Sequence, residues 1–492
     1  MMSGGSFMEL ANIIKNVETK EILNYKNVDI KGISYNSNTI KSHEIFVCLK
    51  GEHVDGHKFA QMAFEKGAVA IMAEHPLNIE IPQLIVDSTQ QKIADLAACF
   101  YHNPSKSLNL IGITGTNGKT TVTHLVQKIF EHENKKCALI GTLGYKLQSN
   151  SDYLEAKHTT PQAPELQATL SKILASDINN VVMEVSSHAL EQFRVRNCEF
   201  KGAAFTNLTQ DHLDFHITME NYFNAKAKLF SGLQKGAYAV INNDDKYAKK
   251  FIQKVPEGVN VLTYGVKNDS KLMAKNIVFT SRGVSFDCCY NNEQVEIKLM
   301  LNGMFSVYNA LCAIGVGLMS DISLKSCKDA LEATKSVAGR FEIVHSDPMV
   351  IVDYAHTPDG LENILRAARE LTPKDAELIC MFGCGGDRDA TKRPKMGNIA
   401  QSLSDKIVVT SDNPRSEDPQ QIITDILSGL KLINPKTVFV EPDRHLAIQL
   451  LKKISSKNDV IILAGKGHED YQILKDRTIH FDDREEVQKV FS

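Results

Sequence analysis

No excess of positive charge runs through this chain: 56 lysines and arginines stand against 59 aspartates and glutamates in 492 residues, a net charge of −3. That balance gives no electrostatic footprint for a polyanion, and no nucleic-acid partner is expected. Nor does any apolar run approach the roughly 20 residues that a membrane-spanning helix requires. The opening stretch Met1-Met-Ser-Gly-Gly-Ser-Phe-Met8 lacks the charged head and apolar core of a secretory signal, so a cytoplasmic location is expected. Cysteine is not scarce, but ten in a chain of this length do not form a disulfide framework. Cys380-x-x-x-Cys384 has no second pair to complete a zinc site, and these thiols read as core residues. Internal repeats and low-complexity segments are also missing.

What remains is an ordinary soluble composition spread over a length that suits about three domains, at roughly 150 residues each. The first unit spans 1–106, with strands expected over 45–49 and 68–72 and a short helix over 60–66. It ends in Tyr101-His-Asn-Pro-Ser-Lys-Ser107, a polar, proline-containing linker. The second unit, 107–338, alternates strand-like runs at 181–185, 202–206 and 237–241 with helical patterns. Such alternation implies a mostly parallel sheet covered by helices. The third unit, 339–492, has strands expected over 349–353, 378–382, 406–410, 438–440 and 460–464. Helices over 360–370 and 444–454 lie between them, which makes a doubly wound α/β sheet whose ligands bind at the carboxyl ends of the strands. The apolar stripe Leu361, Ile364, Leu365, Ala368 reads as core packing.

The most informative stretch is Ile111-Gly-Ile-Thr-Gly-Thr-Asn-Gly-Lys-Thr-Thr121. It follows the buried-strand run 108–113 and precedes the amphipathic pattern 122–130. Strand, glycine-rich turn and helix start together make a phosphate cradle. Backbone N–H groups converge there, the helix N-terminus adds positive potential, Lys119 reaches the β- and γ-phosphates, and Thr120 can hold Mg²⁺. The spacing departs from G-x-x-x-x-G-K-[ST], because Ile113 stands where the first glycine belongs and glycines fall at 112, 115 and 118. A merely connecting turn is the bland alternative; Lys119-Thr120 at the helix start argues for ATP.

Other loops after strands are equally polar. Met183-Glu-Val-Ser-Ser-His188 and Thr206-Asn-Leu-Thr-Gln-Asp-His-Leu-Asp-Phe-His216 bring Glu184 and His212 within reach of a metal beside the phosphate loop. Mg²⁺ needs only a few protein ligands, since phosphates and water complete its shell. Helix capping by Ser186 and Asp211 is the structural alternative. The third unit contributes Val352-Asp-Tyr-Ala-His-Thr-Pro-Asp359, Gly383-Cys-Gly-Gly-Asp-Arg-Asp389, Asp412-Asn-Pro-Arg415 and Ala464-Gly-Lys-Gly-His-Glu469. Arg388 and Arg415, each after a strand of one sheet, suit planar bidentate capture of carboxylates.

Taken together, these motifs resemble the Mur ligases, ATP-dependent amide-forming enzymes of peptidoglycan synthesis, over nearly the whole chain. The resemblance implies a UDP-sugar-binding first domain, a central P-loop domain and a C-terminal Rossmann-like amino-acid-binding domain. It implies addition of meso-2,6-diaminopimelate to the D-Glu γ-carboxylate of UDP-N-acetylmuramoyl-L-Ala-D-Glu through an acyl phosphate, by a monomer acting on small molecules. Within the family, Asp412-Asn-Pro-Arg415 resembles the signature of diaminopimelate users. ATP then falls to Gly115, Thr116, Asn117, Gly118, Lys119, Thr120 and Thr121, with Asn309 and Arg340. Lys119, Glu184, His212 and Lys226 carry catalysis. Mg²⁺ falls to Thr120, Glu184, His212 and a carbamylated Lys226, preferred over Lys228 for its spacing after Tyr222. From residue types alone, Lys226 is a surface lysine on an amphipathic helix.

For the nucleotide-sugar peptide the resemblance points to Ser37, His158, Thr159, Thr160, Ser186, Gln192 and Arg194. Relatives commonly carry Asp-Ser-Arg where this chain has Asn36-Ser37-Asn38. For diaminopimelate it points to Arg388, Asp412, Asn413, Pro414, Arg415, Gly465 and Glu469, with Arg415 for the distal carboxylate and Glu469 for the ammonium. The competing readings are the same reaction with L-lysine, a folylpolyglutamate synthetase, and a P-loop switch that performs no ligation.

Overall fold

The computed structural model describes residues 7–51, 54–148, 150–154, 158–280, 283–334 and 337–492. Residues 1–6, part of the stretch read above for a secretory signal, lie outside the described residues.

Among the described residues three large sheets, beside two two-stranded ones, organise the fold. The first has five strands in the order Glu21–Leu23, Gln83–Ile85, Ala70–Ala73, Glu44–Val47, Gly32–Ser34, parallel except for the first pair. Alternation along Glu44–Val47 sends Ile45 and Val47 to one face and Phe46 to the other. Helices Leu10–Asn16 and Thr89–Phe100 cover the first face, and Ala60–Glu65 covers the second. The expected linker is not a free tether: Pro104–Ser107 forms a short 3₁₀ turn, and the buried Ser105 hydroxyl accepts from the N–H of Glu199 at 3.1 Å.

The central sheet has ten strands. From one edge these are Gly144–Lys146, Cys137–Gly141, Asn180–Glu184, Asn109–Thr114, Gly202–Phe205, Tyr238–Asn242, Asn260–Gly265, Leu272–Thr280, Gly283–Tyr290 and Glu293–Leu299. Cys137–Gly141 through Leu272–Thr280 run parallel, and the strands beyond them at both edges pair antiparallel. The inner strands are buried on both faces, which is why they read as continuous apolar runs. Ile111 and Ile113 pack with helices Lys119–His132 and Met304–Leu318, while Leu110 faces the opposite layer with Ala163–Ala175 and Met219–Ser231. The antiparallel extension over 272–299 was not among the expected strands.

The third sheet runs Glu342–Ser346, Met349–Asp353, Val460–Ala464, Leu378–Phe382, Lys406–Val409, Val438–Val440, all parallel but for the first strand. The last strand in sequence, Val460–Ala464, inserts between Met349–Asp353 and Leu378–Phe382. The loops after these three strands therefore open around one crevice, the position where ligands bind in such sheets. Helix Pro358–Leu371 starts where Thr357 caps it, accepting from the N–H of Gly360 at 3.0 Å, with Pro358 in the first turn. Leu361, Ile364, Leu365 and Ala368 are buried beneath it as the spacing requires.

Candidate active site

Strand Asn109–Thr114 delivers the glycine-rich turn, and helix Lys119–His132 begins at Gly118, whose φ is +87°. Only glycine fits at two points. A Cβ on Gly115 would lie 1.9 Å from Thr206 Oγ1, and one on Gly118 would lie 2.4 Å from Asn309 Oδ1. The turn is tied to the 206–209 loop: the N–H of Thr116 donates to Asn207 O at 2.8 Å, and Thr206 Oγ1 donates to Asn117 O at 2.6 Å. Lys119 folds back over the turn, its Nζ donating to Gly115 O at 2.9 Å and Thr116 O at 2.8 Å. Burial lowers its pKa below the ordinary lysine value, with Arg340 adding repulsion.

This turn forms one wall of a cavity of about 430 Å³. Thr120, Thr121, Thr159, Glu184, Ser186, His212 and Asn309 line it from the central domain; Arg340, Tyr354, His356 and Asp359 line it from the C-terminal one. Among the hydrogen bonds that cross between the domains, Arg340 Nη2 donates to Thr120 Oγ1 at 2.8 Å and Asn117 Nδ2 donates to Asp359 Oδ2 at 2.8 Å. The Arg340 guanidinium also sits 4.6 Å from the centre of the Tyr354 ring.

Glu184 ends its strand fully buried, held by the N–H of Thr142 at 2.9 Å and by Thr142 Oγ1 at 3.0 Å. His212 adopts φ +54° and lines the cavity, its Nε2 3.2 Å from Asp211 Oδ2. Burial drives its pKa down to about 3 against the pull of Asp211, leaving a neutral imidazole at pH 7. Asp211 is no helix cap. Beyond His212, its carboxylate faces His356 Nε2 and Lys392 Nζ, each at 3.7 Å and each from the C-terminal domain. These groups outweigh the burial that opposes ionisation and hold its carboxyl well below the usual range.

The structure separates the two candidate lysines of helix Met219–Ser231. Lys228 is half exposed and pairs with Glu191 at 2.7 Å. Lys226 is 1% exposed and its Nζ donates to Gly115 O, the phosphate turn itself, at 2.8 Å. Burial, reinforced by Lys119, pushes its pKa well below the ordinary value. The helix therefore turns its amphipathic reading around: this lysine belongs to the inward face.

Thr160, Ser186, Gln192 and Arg194 form one hydrogen-bonded group. Thr160 Oγ1 accepts from the N–H of Ser186 at 3.0 Å, and Arg194 donates to Thr160 O at 3.0 Å and to Gln192 Oε1 at 2.6 Å. Ser186 also caps helix Ser187–Glu191, so the capping and site readings coexist. Thr159 Oγ1 reaches Thr142 Oγ1 at 3.2 Å, next to Glu184. Ser37 stands apart: it is buried in the first domain, its carbonyl accepting from Lys66 at 2.9 Å, and it does not belong to the cavity wall. His158 is likewise outside that wall.

In the C-terminal domain Asn413 Nδ2 donates to Glu469 Oε2 at 2.8 Å, and Arg415 Nη1 donates to Gly386 O at 2.8 Å, bringing three of the four loops together. Gly465 takes φ +111° beside Asp412. Pro414 packs its carbonyl against Gly386, where a Cβ would lie 1.9 Å away. Arg388 does not join them; it is exposed and donates to its neighbour's carbonyl, Asp387 O, at 2.8 Å. Lys466, passed over between two glycines in the sequence, is completely buried, with Nζ 3.4 Å from Glu469 and 3.7 Å from Asp412. Burial and Asp412 raise the Glu469 pKa above its ordinary value, and Lys466 opposes the rise.

Fold and site define a three-domain α/β protein in which a glycine-rich strand-to-helix turn opens on a cavity shared with the C-terminal domain, the domain that also holds the polar cluster of Asp412, Asn413 and Glu469. The family model described as Mur ligase middle domain matches residues 113–317, that described as Mur ligase, glutamate ligase domain matches 339–467, and that described as Mur ligase family, catalytic domain matches 29–101. A UDP-N-acetylmuramoyl-L-alanyl-D-glutamate–2,6-diaminopimelate ligase of Clostridium botulinum is 46% identical over 492 residues, covering 98% of this chain and 99% of that one. The enzyme of the same name from Halalkalibacterium halodurans is 43% identical, with 97% of each chain covered. A solved structure with that enzyme name superposes at a TM-score of 0.68 and 30% identity over 98% of both chains. A MurF ligase of Thermotoga maritima in complex with ADP, 18% identical at a TM-score of 0.63, shares the fold. The chain belongs to the Mur ligase family, whose members are ATP-dependent amide ligases.

Proposed function

We propose that this protein uses ATP to join meso-2,6-diaminopimelate to the D-Glu γ-carboxylate of UDP-N-acetylmuramoyl-L-Ala-D-Glu. The observation that carries the reading is the shared cavity: the phosphate turn with Lys119 and Thr120 faces Arg340 from the domain that also holds the Asp412, Asn413, Arg415 and Glu469 cluster. The substrate carboxylate oxygen attacks the γ-phosphorus and ADP leaves. The donor amine then attacks the acyl carbon, phosphate leaves, and the nitrogen gives up a proton. Positioning and charge neutralisation carry such a reaction. Lys119 is placed to stabilise the transferring phosphoryl group, and Arg340 to hold the phosphates against the central domain.

Among the described residues no three His, Cys, Asp or Glu side chains are gathered closely enough to hold a metal by themselves. Magnesium fits nonetheless, because it takes few protein ligands and here a hydroxyl, a carboxylate and a neutral imidazole (Thr120, Glu184 and His212) share the cavity wall. Bound there, Mg²⁺ would supply neutralisation of phosphate charge. Lys226 is suited to carbamylation, since its depressed pKa favours the neutral amine that reacts with CO₂.

The division at 106/107 and 338/339 assigns the UDP-sugar to the first domain with Ser37, and the peptide arm to His158, Thr159, Thr160, Ser186, Gln192 and Arg194. Diaminopimelate has two amino-acid ends, so its far end needs a cation and an anion together; Arg415 and Glu469 supply them. L-Lysine would leave the arginine unpaired, the asymmetry by which a polar site rejects an analogue lacking the group it binds. Among the described residues no helix is long and apolar enough to cross a membrane. We place the reaction in the cytoplasm, carried out by a monomer. Incubation with ATP, Mg²⁺, the nucleotide dipeptide and diaminopimelate is expected to yield the amide-linked tripeptide by mass spectrometry. Unchanged dipeptide under those conditions would overturn the reading.

A further inference from the structure

Beneath the Asp412–Glu469 cluster lies an ion pair that the reaction as proposed does not use. Arg444, the first residue of helix Arg444–Ile454, and Asp483, the first of helix Asp483–Phe491, both have side chains with no solvent exposure. Two charge-assisted bonds join them: Nε to Oδ1 at 2.7 Å and Nη2 to Oδ2 at 2.6 Å. The same guanidinium extends Nη1 to Ser411 O and Nη2 to Ala464 O, each at 3.4 Å. Those carbonyls belong to the residues immediately before Asp412 and Gly465. One planar side chain thus grips the roots of both loops that form the donor cluster. Next to it, Arg484 donates to His468 O at 3.4 Å, within the second of these loops.

Charge points the same way. Asp412, Glu469 and Asp483 are three carboxylates packed with two buried cations, Lys466 and Arg444. Arg415 of the same cluster balances the negative charge left over, so the whole is neutral, which matches a zwitterionic amino-acid end. A buried ion pair is weak evidence for stability, because the cost of desolvating it offsets most of the attraction. Its placement at two loop roots calls for another account.

We propose that the Arg444–Asp483 pair is a positioning device for the amine donor: it fixes the separation of the Asp412–Arg415 and Gly465–Glu469 loops and so sets affinity and selectivity for the distal amino-acid group. The proposal rests on the donor assignment made above. Stability and positioning can be separated, because apolar residues of similar volume commonly replace a buried ion pair at little cost to the fold. The test compares wild type, the double variant Arg444→Met/Asp483→Leu and the single variant Arg444→Lys in the full-length enzyme. Melting temperature, KM for each of the three substrates, and the ratio of diaminopimelate to L-lysine use are measured for each.

The double variant should keep its melting temperature and its KM for ATP and nucleotide dipeptide. Its kcat/KM for diaminopimelate should fall by about 100-fold, the scale of a small misplacement of binding groups, and its preference over lysine should shrink. Arg444→Lys keeps the charge but loses the fork; it should show the same selective loss, and it carries the test if the double variant does not fold. Unchanged donor kinetics in a folded variant would overturn the proposal, as would equal losses for all three substrates. A wild-type enzyme that uses lysine alone would overturn the donor assignment and the proposal with it.

Discussion

Lys226 shows how a single side chain changes meaning with its surroundings. In water an ammonium is the favoured form; enclosed, and facing Lys119, it is the neutral amine that gains. Replacing it with alanine removes a buried amine whose charged form is disfavoured there, so Lys226→Ala should keep the fold and change the melting temperature little while lowering turnover by about 100-fold or more, the scale of losing one preorganised charge-stabilising group. Substantial residual turnover in the folded variant would remove Lys226 from the catalytic set. Arg415 is argued in the same terms. Arg415→Ala should raise KM for diaminopimelate by about 10-fold, one charge-assisted hydrogen bond, and leave KM for ATP unchanged; parallel rises in both would place it elsewhere. The phosphate turn was legible at this scale because glycine, lysine and threonine act through local backbone geometry. Lys226 and Lys466 were not legible from residue type, since a lysine's burial is decided by distant segments packed over it. Asp211 reads locally as a cap, and only the arrival of His356 and Lys392 from another domain gives it a different role.

Elements were legible in proportion to how completely they are buried. The strands Met349–Asp353, Leu378–Phe382 and Val460–Ala464 have the bounds expected from their unbroken apolar runs. Short strands such as Glu21–Leu23, and the antiparallel extension ending in Glu293–Leu299, went unread, although Ile297 and Leu299 alternate inward in the latter. An alternating, half-exposed strand is easily passed over beside an α/β pattern. Within the C-terminal layer, helix Arg393–Leu403 is tied to its neighbours by Arg393, which meets Glu417 and Asp425 at 2.9 Å each. Hydrogen bonds from Arg393 lower both carboxyl pKa values below their ordinary 4.5 and 3.8. Depressed carboxyl values contribute stability that is complete above the unfolded values and lost as the pH falls through the folded ones. Melting temperature should therefore drop on acidification below about pH 4.5, and Arg393→Met should flatten that drop while lowering stability at neutral pH. Parallel pH profiles for the two proteins would contradict the assignment.

At the level of the whole molecule, the site exists only where domains meet. The Asp211 carboxylate faces His356 and Lys392 of the C-terminal domain, Asn117 reaches Asp359, and Arg340 reaches Thr120. None of these pairings could be inferred from spacing along the chain, which is why each loop was recognisable while their convergence was not. If these contacts hold the domains together around substrates, Asp211→Asn should leave Lys392 and His356 without their anion. The radius of gyration with all substrates bound, measured by X-ray scattering, should then exceed that of wild type; equal values would show that the Asp211 contacts do not hold the closed form.

The central claim is that this ATP site serves a donor site built for an amino acid with a second carboxylate. ATP-dependent phosphate release, with the nucleotide dipeptide present and meso-diaminopimelate and L-lysine supplied in parallel, tests it most directly. Strong release with diaminopimelate and little with lysine is the predicted result. Equal or greater release with lysine would contradict the donor site described here, and silence with both would contradict the ligase reaction proposed for this chain.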